Sequence, residues 1–198
     1  MSVIICAATS DFGIMMADSR LTENGVPTNE NYQKIWKIND QMIFGSGGSA
    51  SLGKMILEQV ILPDDYVGCD NDTIFKDAYT KCSEILNEYP YDDDLSSYLF
   101  FLENTMNHVW IRIIQIIGKE ISTRVIHSDS PETFVYAIGS NGYKENIQSI
   151  IESHLPDLLT GLCESIEYIS TIDNTVNNIT RFFATRVCEK FNVKSLVG

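Results

Sequence analysis

The sequence predicts an α+β domain in which two antiparallel sheets face each other and a pair of helices covers the outer face of each sheet. Three observations lead to this four-layer αββα prediction. Several short apolar runs are continuous rather than alternating, which is typical of strands buried on both faces. Strands and helices come in groups along the chain, which favours a layered α+β fold over a doubly wound sheet. The helical segments each carry one apolar face at a spacing of three or four residues.

The predicted elements follow one another in five groups. The first group is made of strands over about residues 2–47, with apolar runs at 3–8, 13–17 and 42–45 and a strand at 34–38. Two helices follow at about 49–87, then strands at about 97–139 with runs at 98–102, 109–118 and 134–139. Two more helices at about 142–172 precede a last strand at 181–187, and residues 89–94 form the best candidate for a surface loop.

Length and composition narrow the classes of function. A chain of 198 residues predicts a single domain over residues 1–198. Its net charge of -13 repels phosphate backbones and acidic lipids, so nucleic acid and membrane surfaces are not expected as partners. The apolar runs are too short for a membrane span. Five scattered cysteines without a CxxC motif predict a reducing cytoplasmic location, and we expect no metal and no cofactor.

The second residue is the first candidate for chemistry. Removal of Met1 would leave Ser2 with both a hydroxyl nucleophile and an α-amine, a base whose ordinary pKa is about 7.7–8.0. The three histidines lie far from any recognisable nucleophile motif such as GxSxG. A hydrolase built on this chain must therefore find its base elsewhere than in a serine–histidine pair.

The spacing of polar residues around Ser2 carries a family resemblance. Sixteen residues separate Ser2 from Asp18 and Asp18 from Lys34, and fourteen separate Lys34 from Gly48. Asp18 stands in A-D-S-R, Gly48 in G-S-G-G-S-A, and residues 139–142 read G-S-N-G. With these motifs the chain resembles, over nearly its whole length, the proteasome β-subunit and HslV family of N-terminal nucleophile hydrolases.

The resemblance implies a role for each matching position. Ser2 would attack a peptide or other amide while its own α-amine takes the proton. Lys34 would favour the ionised hydroxyl, Asp18 would hold Lys34 in place, and the N–H of Gly48 would stabilise the oxyanion. Ser140 and Asp173 would orient the α-amine. The substrate pocket implied by the family consists of Leu21, Tyr32, Ser46 and Ala50, where the small Ser46 leaves room for a large apolar side chain.

The same resemblance implies assembly into a homo-oligomeric ring whose chamber encloses the active sites, with peptides or amides as substrates. Nothing in the sequence identifies an ATPase that would feed such a chamber. Two departures from the family pattern stand out: Ser2 replaces the usual threonine, and residues 176–178 read V-N-N where many relatives have Ser-Gly-Gly. These departures leave two alternatives open, a catalytically silent assembly or scaffold protein of the same fold and a non-proteolytic amidase or acylase.

Overall fold

The computed structural model describes residues 3–23, 25–61, 70–88, 95–105, 108–139 and 142–187. Its strands are β1 (Ile4–Ala8), β2 (Phe12–Asp18), β3 (Leu21–Glu23), β4 (Val26–Asn29), β5 (Ile35–Lys37), β6 (Met42–Gly47), β7 (Ser96–Asn104), β8 (Val109–Ile117), β9 (Glu120–His127), β10 (Val135–Gly139) and β11 (Thr180–Arg186). Its helices are α1 (Ala50–Ile56), which continues into a π-helical turn (Leu57–Ile61), α2 (Asn71–Glu88), α3 (Lys144–His154) and α4 (Leu158–Ile172). None of the described helices is long and apolar enough to cross a membrane.

The strands form two large sheets and a separate hairpin. The four-stranded sheet has the order β10-β1-β2-β11, and the five-stranded sheet has the order β5-β6-β7-β8-β9. All described pairs within them are antiparallel. The short hairpin β3–β4 follows β2 in the chain and, among the described strands, pairs with neither large sheet. The prediction of a mixed α/β chain with antiparallel sheets is therefore confirmed.

Alternation along the central strands explains why their apolar runs are continuous. In β1, Ile4, Cys6 and Ala8 belong to a cluster shared with the five-stranded sheet. Ile5 and Ala7, together with Val3 just before the strand, belong to a cluster that includes residues of α3 and α4. Strand β7 divides its residues in the same way, with Phe101 packed among residues of α1 and α2. Because both faces of these strands are covered by apolar groups, no polar residue has to interrupt the run.

A polar cluster ties α2 to the five-stranded sheet. The Arg112 guanidinium on β8 lies 5.3 Å from the centre of the Phe75 ring, and its Nη1 donates to Asp72 Oδ1 over 2.5 Å. Arg112 Nε lies 3.2 Å from Glu103 Oε2, yet the direction is not that of a hydrogen bond, and Glu103 Oε1 has no hydrogen-bond partner among the described residues. Burial raises the pKa of Glu103 to about 7, although the charge of Arg112 opposes the change.

Some elements differ from the sequence-based prediction. The hairpin β3–β4 was not predicted, because its strands have three and four residues and no apolar run. Strand β9 falls inside the predicted group 97–139 but belongs to no predicted apolar run, since most of its side chains are exposed. The last strand spans Thr180–Arg186, close to the predicted 181–187. The predicted loop at 89–94 lies outside the described residues.

Candidate active site

A buried ion pair lies at the end of β2. Asp18 is 1% exposed and Lys34 is 3% exposed, and Lys34 Nζ donates to Asp18 Oδ1 over 2.8 Å. Asp18 closes β2, and Lys34 directly precedes β5, so the pair joins the four-stranded to the five-stranded sheet. Burial lowers the pKa of the Lys34 ammonium below its ordinary value, and the neighbouring Asp18 carboxylate opposes that change.

Both oxygens of the Asp18 carboxylate accept further hydrogen bonds. Oδ1 also accepts from the backbone N–H of Val3 over 2.9 Å, and Oδ2 accepts from the N–H of Arg20 over 3.0 Å. The Val3 carbonyl in turn accepts from the Asp18 N–H over 3.2 Å. The backbone at the start of β1 is thus attached to the same carboxylate that binds the lysine. The predicted nucleophile, Ser2, is covalently joined to Val3 and lies outside the described residues.

An open cavity adjoins this pair. Its described lining consists of Leu21, Thr22, Tyr32, Lys34, Trp36, Ser46, Gly48, Ala50 and Gly53. All four residues predicted for the substrate pocket are in this set, together with Lys34 and Gly48. Trp36 also lines the cavity and stacks on Phe44, with 5.7 Å between ring centres. Sequence reasoning missed Trp36, although it stands two residues after Lys34 in the predicted strand and so points to the same side.

The turn from β6 into α1 requires glycine at position 48. Gly48 has a φ of +88°, and a Cβ added there would lie 2.0 Å from the Ser96 carbonyl oxygen. The residue after it, Ser49, caps α1 by accepting from the Leu52 N–H over 3.3 Å, and its own N–H donates to Ser97 Oγ. The backbone of Gly48 is therefore held between a helix N-terminus and the neighbouring strand β7.

The helix α1 also approaches the cavity unusually closely. A Cβ added at Gly53 would lie 1.9 Å from Ser46 Oγ, so only glycine permits this spacing. The Ser46 N–H donates to the Lys34 carbonyl over 2.9 Å. Ser46 is thus fixed to the residue that carries the buried ammonium, and it is covered on its other side by α1.

The second predicted group, Ser140 and Asp173, is only partly described. Asp173 follows the last residue of α4, and its Oδ1 accepts from the N–H and the hydroxyl of Thr175 over 2.8 and 2.6 Å. Ser140 lies outside the described residues. The predicted role of this pair in orienting an α-amine stays a prediction.

A residue that sequence reasoning did not assign, Asn177, holds the segment next to Asp18. Its Oδ1 accepts from the Ser19 N–H over 3.0 Å, and its Nδ2 donates to the carbonyl and the carboxylate of Glu30, each over 2.9 Å. Asn177 is 4% exposed, and Ser19 Oγ also donates to the Glu30 carbonyl. The sequence signal was the V-N-N departure itself, but its partner Ser19 lies 158 positions away and the pairing could not be read from spacing.

Comparison with known proteins supports the fold but does not show an activity. No protein-family model matches the chain, and no curated protein sequence matches it. Among solved structures, eukaryotic HslV from Trypanosoma brucei is similar with a TM-score of 0.57 and 15% sequence identity. The similarity covers 93% of this chain and 99% of the HslV chain. At this identity the comparison shows an HslV-like fold, and the chemistry has to be argued from the residues of this chain.

Proposed function

We propose that this chain is an N-terminal serine hydrolase that cleaves peptide or other amide bonds. The observation that carries the proposal is the buried Lys34–Asp18 pair attached to the N–H of Val3, the residue bonded to Ser2. An ammonium buried at 3% exposure costs solvation free energy, so a site of this kind is more often found where the charge has a chemical task.

In the proposed reaction, Ser2 Oγ attacks the substrate carbonyl while the α-amine of Ser2 accepts the hydroxyl proton. The Lys34 charge favours the alkoxide character of the attacking oxygen. The tetrahedral oxyanion receives a hydrogen bond from the Gly48 N–H. Collapse breaks the C–N bond, and the protonated α-amine gives its proton to the leaving amine. Water, deprotonated by the same α-amine, then hydrolyses the serine ester.

The cavity beside Lys34 is proposed to bind the side chain on the acyl side of the scissile bond. Leu21, Tyr32 and Trp36 offer apolar surface, and no charged group other than Lys34 is among its described lining residues. A large apolar side chain therefore fits better than an acidic or basic one. Ser140 and Asp173 are proposed to orient the α-amine, with Asp173 held by Thr175.

We also propose the finer architecture and assembly of the chain. A single domain with αββα stacking is supported by three apolar clusters, one between the two sheets and one between each sheet and a helix pair. A cytoplasmic location is supported by Cys6 and Cys82, which are buried as free thiols. A homo-oligomeric ring is supported by exposed apolar side chains of α4, namely Leu159, Tyr168 and Ile172.

The test is intact-mass analysis combined with hydrolysis of fluorogenic peptide amides that carry a large apolar residue before the scissile bond. We expect a mass lacking Met1, and loss of hydrolysis in Ser2→Ala but not in Ser83→Ala, a half-buried serine on α2 that does not line the cavity beside Lys34. Ser2→Thr should retain activity because it keeps the hydroxyl. Retained Met1, or equal hydrolysis by wild type and Ser2→Ala, would contradict the proposal and favour a silent scaffold.

A further inference from the structure

A second open cavity lies where an edge strand of one large sheet meets an edge strand of the other. It is lined by residues of β7, β8, β9 and β10 and by Lys144, the first residue of α3. Strand β9 ends the five-stranded sheet and β10 ends the four-stranded sheet. None of the residues that line this cavity also lines the cavity beside Lys34. The two cavities are thus separate sites on the described part of the chain.

The charge of this second cavity is opposite to that of the chain. Its described lining includes two cations, Arg124 and Lys144, and no aspartate or glutamate. Most lysines and arginines of the described ranges form ion pairs with carboxylates, as expected in a chain with 27 acids and 14 bases. Arg124 and Lys144 form none within those ranges. Two unpaired cations facing one acid-free cavity in an acidic protein indicate a site for an anion.

The start of α3 places one of the two cations. The residue at its N-cap, Tyr143, makes no side-chain hydrogen bond to the first turn, and Lys144 is the first residue of the helix. Glu145 follows in the same turn and balances part of the positive charge at this helix end. An anion is therefore indicated by the lining of the cavity, which contains Lys144 but not Glu145.

The remaining lining defines what the anion is attached to. Tyr98, Tyr136 and Ile138 are half-buried and offer apolar surface to the cavity. Tyr98 stacks on the buried Phe100 with 6.3 Å between ring centres and 23° between ring planes. Gln115 adds an amide that can donate and accept hydrogen bonds. A bare inorganic anion would leave this apolar wall uncovered, whereas a carboxylate on an aromatic or branched aliphatic body would cover the wall and meet the cations.

We infer that this cavity binds a small carboxylate with an apolar body, through Arg124 and Lys144 for the charge and Tyr98 and Ile138 for the body. The same chemistry is present in a free acid and at the C-terminus of a peptide that ends in an apolar residue. The inference does not depend on the proposed hydrolytic reaction, because none of the residues of that reaction contributes to the cavity.

The experiment is a titration of the intact protein, labelled at isoleucine and leucine methyl groups for NMR. The probes are N-acetylphenylalanine, its neutral amide, inorganic phosphate and the peptide acetyl-Ala-Ala-Phe with a free carboxylate. We expect saturable shifts at Ile113 and Ile138 with the two carboxylates, and none with the amide or phosphate. Leu21 lines the cavity beside Lys34, so shifts of its methyl groups report binding there. We expect these shifts to stay small at ligand concentrations that saturate the shifts of Ile113 and Ile138. Tighter binding of the peptide than of the free acid identifies the peptide C-terminus as the source.

Charge variants provide the decisive control. Arg124→Gln and Lys144→Gln should each weaken carboxylate binding by roughly tenfold, since each removes a charge-assisted contact. Lys119→Gln removes the same charge from the β8–β9 turn, outside the cavity, and should leave the affinity unchanged. Equal binding of acid and amide, an equal loss in Lys119→Gln, or no saturation in the millimolar range would overturn the inference.

Discussion

The molecule contains two buried acid–base clusters that differ in how completely they are hydrogen-bonded. Next to the cavity at β2, both Asp18 oxygens accept hydrogen bonds, and Lys34 reaches one of them over 2.8 Å. Under α2, Glu103 is equally buried, but one of its oxygens has no hydrogen-bond partner among the described residues, and Arg112 divides its contacts between Glu103 and Asp72. Burial alone therefore does not set the behaviour of a charge in this protein.

The difference predicts that the two clusters respond to different perturbations. A buried carboxylate whose two oxygens accept hydrogen bonds holds its donors in place, so removal of either member of the Asp18–Lys34 pair is costly. A buried carboxylate that lacks partners holds its proton more strongly, and this explains the raised pKa of Glu103. The four predictions below run from the largest expected effect to the smallest.

The largest effect is expected for Asp18→Ala. The change leaves the Lys34 ammonium buried without its counter-charge, and we expect a loss of about 3–5 kcal/mol in the free energy of unfolding. The control is Asp40→Ala, which removes the same type of partner from Lys37 at the surface, where Asp40 is 67% exposed. That control should cost at most about 1 kcal/mol. Both losses are measured by urea denaturation. Similar losses in the two variants would contradict the prediction that the buried pair contributes more stability than the surface pair.

A smaller loss is expected for Asn177→Ala. The substitution leaves the buried Ser19 N–H and the Glu30 carbonyl short of a partner, which should cost about 1–3 kcal/mol. Asn178→Ala, at the exposed neighbouring position, is the matched control and should change stability by less than about 0.5 kcal/mol. If both asparagines behave alike in denaturation, Asn177 does not hold the segment next to Asp18.

The Glu103 cluster should make the free energy of unfolding depend on pH. Since the folded state raises the pKa of Glu103 from 4.5 to about 7, the protonated carboxyl stabilises the fold below about pH 4.5, and this contribution is lost as pH rises through about 7. Glu103→Gln cannot ionise. Its stability relative to wild type should therefore increase by about 2 kcal/mol between pH 5 and pH 8, because only the wild type loses the contribution of the protonated carboxyl over that range. A difference that does not change with pH would contradict the assignment.

The smallest effect is expected for Asp72→Asn. Asp72 is half exposed and pairs with Arg112 and Lys76, so its loss should cost about 0–1 kcal/mol and less at high salt. The charge of Asp72 also contributes to the raised pKa of Glu103. Carboxyl NMR titration of Glu103 should then give a midpoint at lower pH in the variant. An unchanged midpoint would show that the two carboxylates do not interact.

The sequence predicted those features whose signals are local. Apolar runs and glycines mark the strand that ends at Asp18, the strand that begins next to Lys34 and the turn at Gly48. The pocket residues were implied by the family resemblance, and they line one cavity. The hairpin β3–β4 escaped prediction because its strands are short and mostly polar or exposed. The Asn177–Ser19 contact escaped because it joins chain segments that only tertiary folding brings together. The predicted roles of Ser2 and Ser140 stay predictions.

The close approach of α1 to β6 constrains the shape of the cavity beside Lys34. Gly53 lies against Ser46 with no room for a methyl group between them. The shape of the cavity therefore depends on the distance between α1 and β6 as well as on the lining side chains. A methyl group added at position 53 would force Ser46 or the helix to shift, and Ala50, the first residue of α1, lines the same cavity. The shape of the cavity can in this way change through helix placement, with the other lining side chains left unchanged.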